Sequence, residues 1–186
     1  MNNVVPIKDR KKLEEMKEEL KKTGTRNFMW FYTGINTGLR ISDLLSLNRN
    51  DVRDINNNMK SHITMIEKKS KKERKFPICN GLYFELEKYT RNMKPGEVLF
   101  KSQIGINSPI TSVQAYRIIS AAAISVGLEN IGTHSMRKTF GYFHYQQYHD
   151  IAMLQAILNH SSPSITLRYI GISQDEIDQS YSNFSL

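Results

Sequence analysis

The stretch TRNFMWFYTGINT, residues 25–37, carries apolar or small side chains on nearly every face of a helix. Such a helix has no polar face to offer water, so it belongs in an interior with other elements packed around it. Gly38 follows and permits a turn, after which LRISDLLSL predicts another short helix. Arg40 thereby falls at a helix junction in the most apolar region of the chain. A guanidinium in that position needs an anionic or carbonyl partner. Asp43, three residues on, is one candidate, and a bound phosphate gripped by two hydrogen bonds is the other.

The elements around this segment follow from periodicity. Residues 7–22 place Ile7, Leu13, Met16 and Leu20 on a narrow apolar stripe amid charges, predicting a surface helix that Thr23 and Gly24 end. From residue 51 to 78 the texture changes to VRDI, an NNN turn, SHITMIE, a lysine-rich turn and RKFPI, which predicts an antiparallel sheet of two or three strands. LYFELEKYTRNM then reads as a helix, VLF as a short strand, and residues 111–126 as a helix stopped by Gly127. Thr133 is placed as the cap of HSMRKTFGYFHYQQ, Asp150 as the cap of IAMLQAIL, and Ser164 as the start of ITLRY. The expected fold class is mainly α with a small antiparallel β-sheet (α+β). Its expected organisation is an N-terminal helix or linker at 1–24, one catalytic-sized domain at 25–172 and a polar tail at 173–186.

Charge narrows the partner. Twenty-six Lys and Arg against 18 Asp and Glu leave a formal net charge of +8, which favours a polyanion such as nucleic acid or an acidic membrane surface. The longest apolar stretch, FMWFYTGI, is far below the ~20 residues that cross a bilayer, and MNNVVPIKDRKK lacks a signal-peptide core. The single cysteine, Cys79, has no internal partner and no zinc-type spacing around it. The expectation is a reduced, cytoplasmic, soluble protein without cofactor or structural metal.

Several polar residues then require a choice between a plain and a chemical reading. Lys68, Lys69, Lys71, Lys72, Arg74 and Lys75 crowd the tip of the predicted hairpin with one anion, Glu73. A solvated turn explains most such side chains, and a basic finger contacting DNA phosphates explains them equally. His134 and Arg137, three apart, project from one face near a helix N-terminus, where anions are favoured. Taken alone they read as a capping-region histidine and a surface arginine. Tyr169 reads first as a core aromatic; with an ordinary pKa of about 10 it becomes a nucleophile only beside cations and a base. His62, His144 and His149 lack a third ligand at suitable spacing and read as structural or surface residues.

In order and spacing, GLRISDL (38–44), the hairpin lysines, HSMR (134–137) and LNHSSPSITLRY (158–169) resemble the tyrosine recombinase, or phage integrase, family of the Xer and lambda-integrase type. The resemblance covers the chain from Arg26 to Gly171, and its specificity lies in the ordered set rather than in any one motif. It implies the catalytic-domain fold of that family and a site-specific recombinase that cuts and rejoins DNA without metal, through a 3′-phosphotyrosine intermediate. It also implies a role for each matching residue. Tyr169 attacks the phosphodiester, and Arg40 and Arg137 hold the non-bridging oxygens. Lys69 protonates the departing 5′-oxygen, His134 accepts the tyrosine proton, and His160 donates to the phosphate. Asp43 supports the arginines. Lys69 is preferred over its neighbours because K-S-K-K-E-R-K-F-P-I follows the family's hairpin pattern.

Family members usually carry an N-terminal core-binding domain of about a hundred residues, which is expected to be absent here, since only some 25 residues precede the domain. Either a catalytic domain cut from a longer protein or a naturally short form fits. The family also implies double-stranded DNA as partner, self-association on DNA into a dimer or tetramer synapse, and an accessory directionality protein. The tail supplies Ile177, Tyr181 and Phe184 as docking points for a neighbouring copy. Two alternatives stand beside the recombinase: a type IB topoisomerase-like relaxing enzyme, and a non-catalytic DNA-binding accessory protein.

Overall fold

The computed structural model describes residues 4–66, 73–172 and 182. Helix α1 spans Arg10–Lys22; the Asp9 carboxylate caps it by accepting the Lys11 and Lys12 N–H groups, and Lys21 and Lys22 complement the dipole at its far end. Ile7 is not part of this helix as the stripe suggested. It sits in the extended segment before Asp9, 1% exposed, with its N–H donated to the Thr139 hydroxyl at 2.8 Å. An apolar residue three positions ahead of the helix start mimicked the helical period.

Helix α2, Thr25–Thr37, has the predicted bounds and packs against α1, with Phe28, Met29, Trp30 and Phe31 buried. Its buried hydroxyls do not disrupt the interior, because Thr33 and Thr37 each donate to the carbonyl four residues back. Gly38 ends it in the left-handed conformation at φ +63°, and a Cβ there would meet the Phe140 ring at 2.5 Å. Both the dihedral and the close approach require glycine. Two single-turn helices follow, α3 (Ile41–Leu44) and α4 (Arg49–Val52).

Strands β1 (His62–Ile66) and β2 (Glu73–Pro77) pair antiparallel, with Ile63 opposite Phe76 and both facing the core. The described residues form two strands, not three: VRDI contributes a single bridge between Arg53 and Met59. VLF likewise makes an isolated bridge, Val98 with Asn48, where Leu99 also donates to the Leu47 carbonyl. Its apolar residues enter the core without a partner strand long enough to build a ladder.

Helices α5 (Asn80–Thr90), α6 (Ser112–Ser125), α7 (Thr133–Tyr148), α8 (Ile151–Leu158) and α9 (Pro163–Ile170) complete the described elements. Helix α6 carries a reciprocal cap between Thr111 and Gln114, and Asp150 caps α8 through the Met153 N–H, as expected. Two caps differ from the sequence reading. Gly132, not Thr133, precedes α7, with its N–H received by the Ser135 hydroxyl. Ser162, not Ser164, caps α9, because Pro163 is suited to the first helical position and fixes the start there.

The core divides. A large cluster gathers α1, α2, α5, α6 and the sheet, while Leu154, Leu158 and Ile170 form a small second cluster with Phe140, Tyr142 and Tyr169. A Cβ on Gly141 would meet Ile170 at 2.7 Å, so α7 and α9 pack at backbone distance. The segment before α1 straps this corner: Val5 donates to the Asn130 carbonyl and Lys8 to the Gly171 carbonyl. No helix among the described residues is long and apolar enough to cross a membrane.

Candidate active site

Arg137 assembles the site. It lies on α7 one turn beyond the helix start, and it is 4% exposed rather than the surface arginine its local pattern suggested. One terminal nitrogen donates to the Gly38 carbonyl, and the other to the Leu158 carbonyl at 2.6 Å. The first acceptor sits two residues before Arg40; the second sits two residues before His160. A planar guanidinium, with its donors in a rigid fork, thus fixes the C-terminal ends of α2 and α8, which approach α7 from separate parts of the chain. Arg40 precedes α3 and is half-buried at its N-cap, and Asp43 lies within α3, 1% exposed.

His160 stands in the turn between α8 and α9. Its backbone is held from both sides, its N–H donating to the Gln155 carbonyl and its carbonyl accepting from the Gln155 amide. Its Nδ1 lies 3.1 Å from the hydroxyl of Thr166, a fully buried residue on α9. Tyr169 follows Thr166 by three positions, on the same helical side. Its ring meets that of His160 edge-on, 4.8 Å between centroids at 70°.

Electrostatics tune each group. Burial pushes the Tyr169 phenol above its ordinary pKa, while the charge and hydrogen bond of Arg137 and the charge of Arg40 pull the other way. The net effect leaves it a neutral phenol at pH 7, with two cations poised to stabilise the phenolate. Burial, then the charges of Arg137 and Arg40, hold His160 below the usual histidine value. His134 is lowered by burial and by Arg137 and Lys138, although its side chain still reaches solvent. Both imidazoles are therefore neutral at pH 7 and able to take up a proton.

The structure thus brings Arg40, Arg137, His160 and Tyr169 into one electrostatic neighbourhood, with His134 beside Arg137. Lys68, Lys69, Lys71 and Lys72 lie outside the described residues, as do the tail positions Ile177, Tyr181 and Phe184. Arg74 is half-buried on β2 and donates to the Ile157 carbonyl at 3.1 Å, while Lys75 is exposed. His62 and His149 are exposed. Some of the positive charge is structural: Arg53 is 4% exposed and donates to Thr90, Asn57 and Glu87.

Two side chains of the site escaped the sequence reading, Thr166 and Lys138. The spacing of Thr166 from Tyr169 was a usable signal for the first. Thr166→Val keeps the shape but removes the hydroxyl from His160. The chemical step that depends on His160 should slow on the order of 10-fold, the worth of one hydrogen bond, with Tm nearly unchanged; rates from rapid-quench assays check this.

Comparison with known proteins identifies the family and the fold. The profile of the Phage integrase family matches residues 8–176, and the chain belongs to that family. It is 49% identical over 184 residues to the probable integrase/recombinase YoeC of Bacillus subtilis (strain 168), spanning 99% of this chain and 98% of that one. The tyrosine recombinase XerD of Chlorobaculum tepidum is 28% identical over 154 residues, and there the match covers 80% of this chain but 49% of the relative. The chain therefore spans about half the length of that XerD relative. Among solved structures, XerA recombinase superposes with a TM-score of 0.75 at 21% identity, over 98% of this chain and 65% of that one. The fold is that of a tyrosine recombinase catalytic domain.

Proposed function

We propose that this chain is a site-specific DNA recombinase that breaks and rejoins strands through a covalent link to Tyr169. One observation carries the reading: the His160 imidazole meets the Tyr169 ring at 4.8 Å between centroids, and the buried Arg137 guanidinium of a separate helix is tied to the Leu158 carbonyl two residues before His160.

The Tyr169 oxygen attacks the phosphorus of a DNA phosphodiester, forming the P–O bond to tyrosine as the P–O5′ bond breaks. The phenolic proton passes to His134, and Lys69 supplies a proton to the departing 5′-oxygen. Arg40 and Arg137 face the two non-bridging oxygens, where charge accumulates in the transition state, and neither has to change protonation state. In the tautomer whose Nδ1 accepts from the Thr166 hydroxyl, His160 carries its proton on Nε2 and offers it to the phosphate. Asp43 supports the arginines from the buried side. Because the phosphotyrosine conserves the energy of the cleaved bond, a 5′-hydroxyl from either strand can reverse the reaction, which is what strand exchange requires.

The partner is double-stranded DNA, approached by the hairpin cations Lys68, Lys71, Lys72, Arg74 and Lys75. Arg74 does so from a position already tied to α8. Self-association on DNA through the tail at 173–186, action with an accessory protein, and a cytoplasmic setting complete the proposal. The domain division at 24/25 and 172/173 belongs to the same reading.

The test is incubation with nicked duplexes of randomised sequence, followed by denaturing electrophoresis and sequencing of whatever DNA stays attached to protein. A DNA–protein adduct enriched in one sequence is expected; no adduct from any duplex overturns the proposal. For the leaving-group acid, a duplex with a 5′-bridging sulfur, which departs without a proton, should restore Lys69→Ala to near wild-type cleavage and leave Arg40→Ala inactive. Rescue of Lys72→Ala in place of Lys69→Ala would move the acid to that position.

A further inference from the structure

Lys138 follows Arg137 on α7, and nothing in the reaction scheme above uses it. Its ammonium nitrogen lies 5.4 Å from the centroid of the Tyr169 ring and donates a 2.6 Å hydrogen bond to the Val4 carbonyl. The Tyr169 ring is therefore contacted on three sides. Arg137 acts at the hydroxyl, His160 meets the ring edge-to-face at 4.8 Å, and Lys138 lies over it. Two consecutive residues of one helix serve different parts of the same phenol.

The chemistry of the ring makes the position of Lys138 consequential. A cation within about 6 Å of an aromatic centroid is attracted by the negative face of the ring, and this attraction orients the ring as well as holding it. Partial burial, which lowers the Lys138 pKa below the ordinary lysine value, strips away some of the water that would weaken the contact. When the phenol gives up its proton during attack, the ring becomes more electron-rich and the attraction grows. An interaction stronger in the transition state than in the resting state raises the rate of the chemical step rather than the affinity for DNA. The Val4 carbonyl fixes where the ammonium sits, and the same strap binds the Gly171 carbonyl at the end of α9 through Lys8.

We propose that Lys138, anchored by the N-terminal strap, is a positioning residue for the nucleophile, holding the Tyr169 ring and favouring its phenolate form during attack. The inference rests on the assignment of Tyr169 as nucleophile, and the experiment separates the two. The chain and its Tyr169→Phe, Lys138→Met, Lys138→Gln and Lys138→Arg variants are compared in single-turnover cleavage of the nicked duplex recovered above. DNA affinity by anisotropy and Tm are measured alongside.

Lys138→Met and Lys138→Gln should form covalent complex about tenfold more slowly, equivalent to roughly 1.4 kcal/mol, with DNA affinity unchanged. Lys138→Arg, which keeps a cation over the ring, should recover most of the rate. A purely structural tie to the strap would lower Tm without this charge-dependent rescue. Wild-type rates in both neutral variants, an arginine variant as slow as they are, or a rate loss matched by weakened DNA binding each overturn the role of Lys138. An adduct formed by Tyr169→Phe overturns the nucleophile assignment and this inference with it.

Discussion

Tyr169→Phe should abolish the covalent complex with DNA while leaving the protein folded and bound to the same sites. The substitution removes one oxygen. If that oxygen is the attacking atom, no other group at this position can form the phosphoester, and cleavage falls by on the order of 10⁴-fold or more, the scale seen when a nucleophile is deleted. The fold should tolerate the change. The ring packs on Leu154, Leu158 and Ile170 through its carbon atoms, and phenylalanine keeps all of those contacts. The lost hydroxyl interacts with Arg137, so the expected stability change is within about 1 kcal/mol in either direction. Denaturing gels read the adduct, thermal melting reads the fold, and electrophoretic mobility reads DNA binding. A variant that still becomes covalently attached would place the nucleophile elsewhere.

Arg137 carries the second large effect, and its two substitutions separate assembly from chemistry. Arg137→Ala removes the donors that reach the Gly38 and Leu158 carbonyls, leaving two acceptors buried where a side chain had been. At about 1–3 kcal/mol for each of the two buried groups that lose a partner, and roughly 2–4 °C per kcal/mol for a chain of this size, the melting temperature should fall by roughly 4–24 °C. Arg137→Lys keeps the charge but not the fork. A single ammonium cannot reach both carbonyls and a phosphate in the planar geometry of a guanidinium. It should retain more of the stability while cleavage still drops on the order of 10²–10³-fold, the cost of losing one preorganised donor to developing charge. Cleavage at the wild-type rate in Arg137→Lys would show that positive charge alone suffices at this position.

Legibility of the fold varied with the kind of signal. The bounds of α2 were readable to the residue, because an apolar run ending in glycine leaves little choice. The cap of α9 was readable in principle, since Pro163 suits the first helical turn and makes Ser162 the cap, yet Ser164 competes by composition. Ile7 shows the limit of periodicity: its burial comes from the strap that crosses α7, not from the helix whose stripe it extends. The isolated bridges at Val98 and Arg53 show the same limit for strands, whose existence depends on a distant partner.

The sequence by itself determined the order of the longer helices and the hairpin, the family and the residue types of the site, because helical period, caps and motif spacing are local properties. Only the tertiary structure decided that Arg137 is interior, that it clamps backbone 99 residues before it and 21 after it, and that Thr166 and Lys138 border the same imidazole and phenol. An arginine three residues after a histidine looks the same on a surface helix as on a buried one. What distinguishes the two is which carbonyls the rest of the chain delivers to it, and that depends on how α2, α8 and α9 pack around α7.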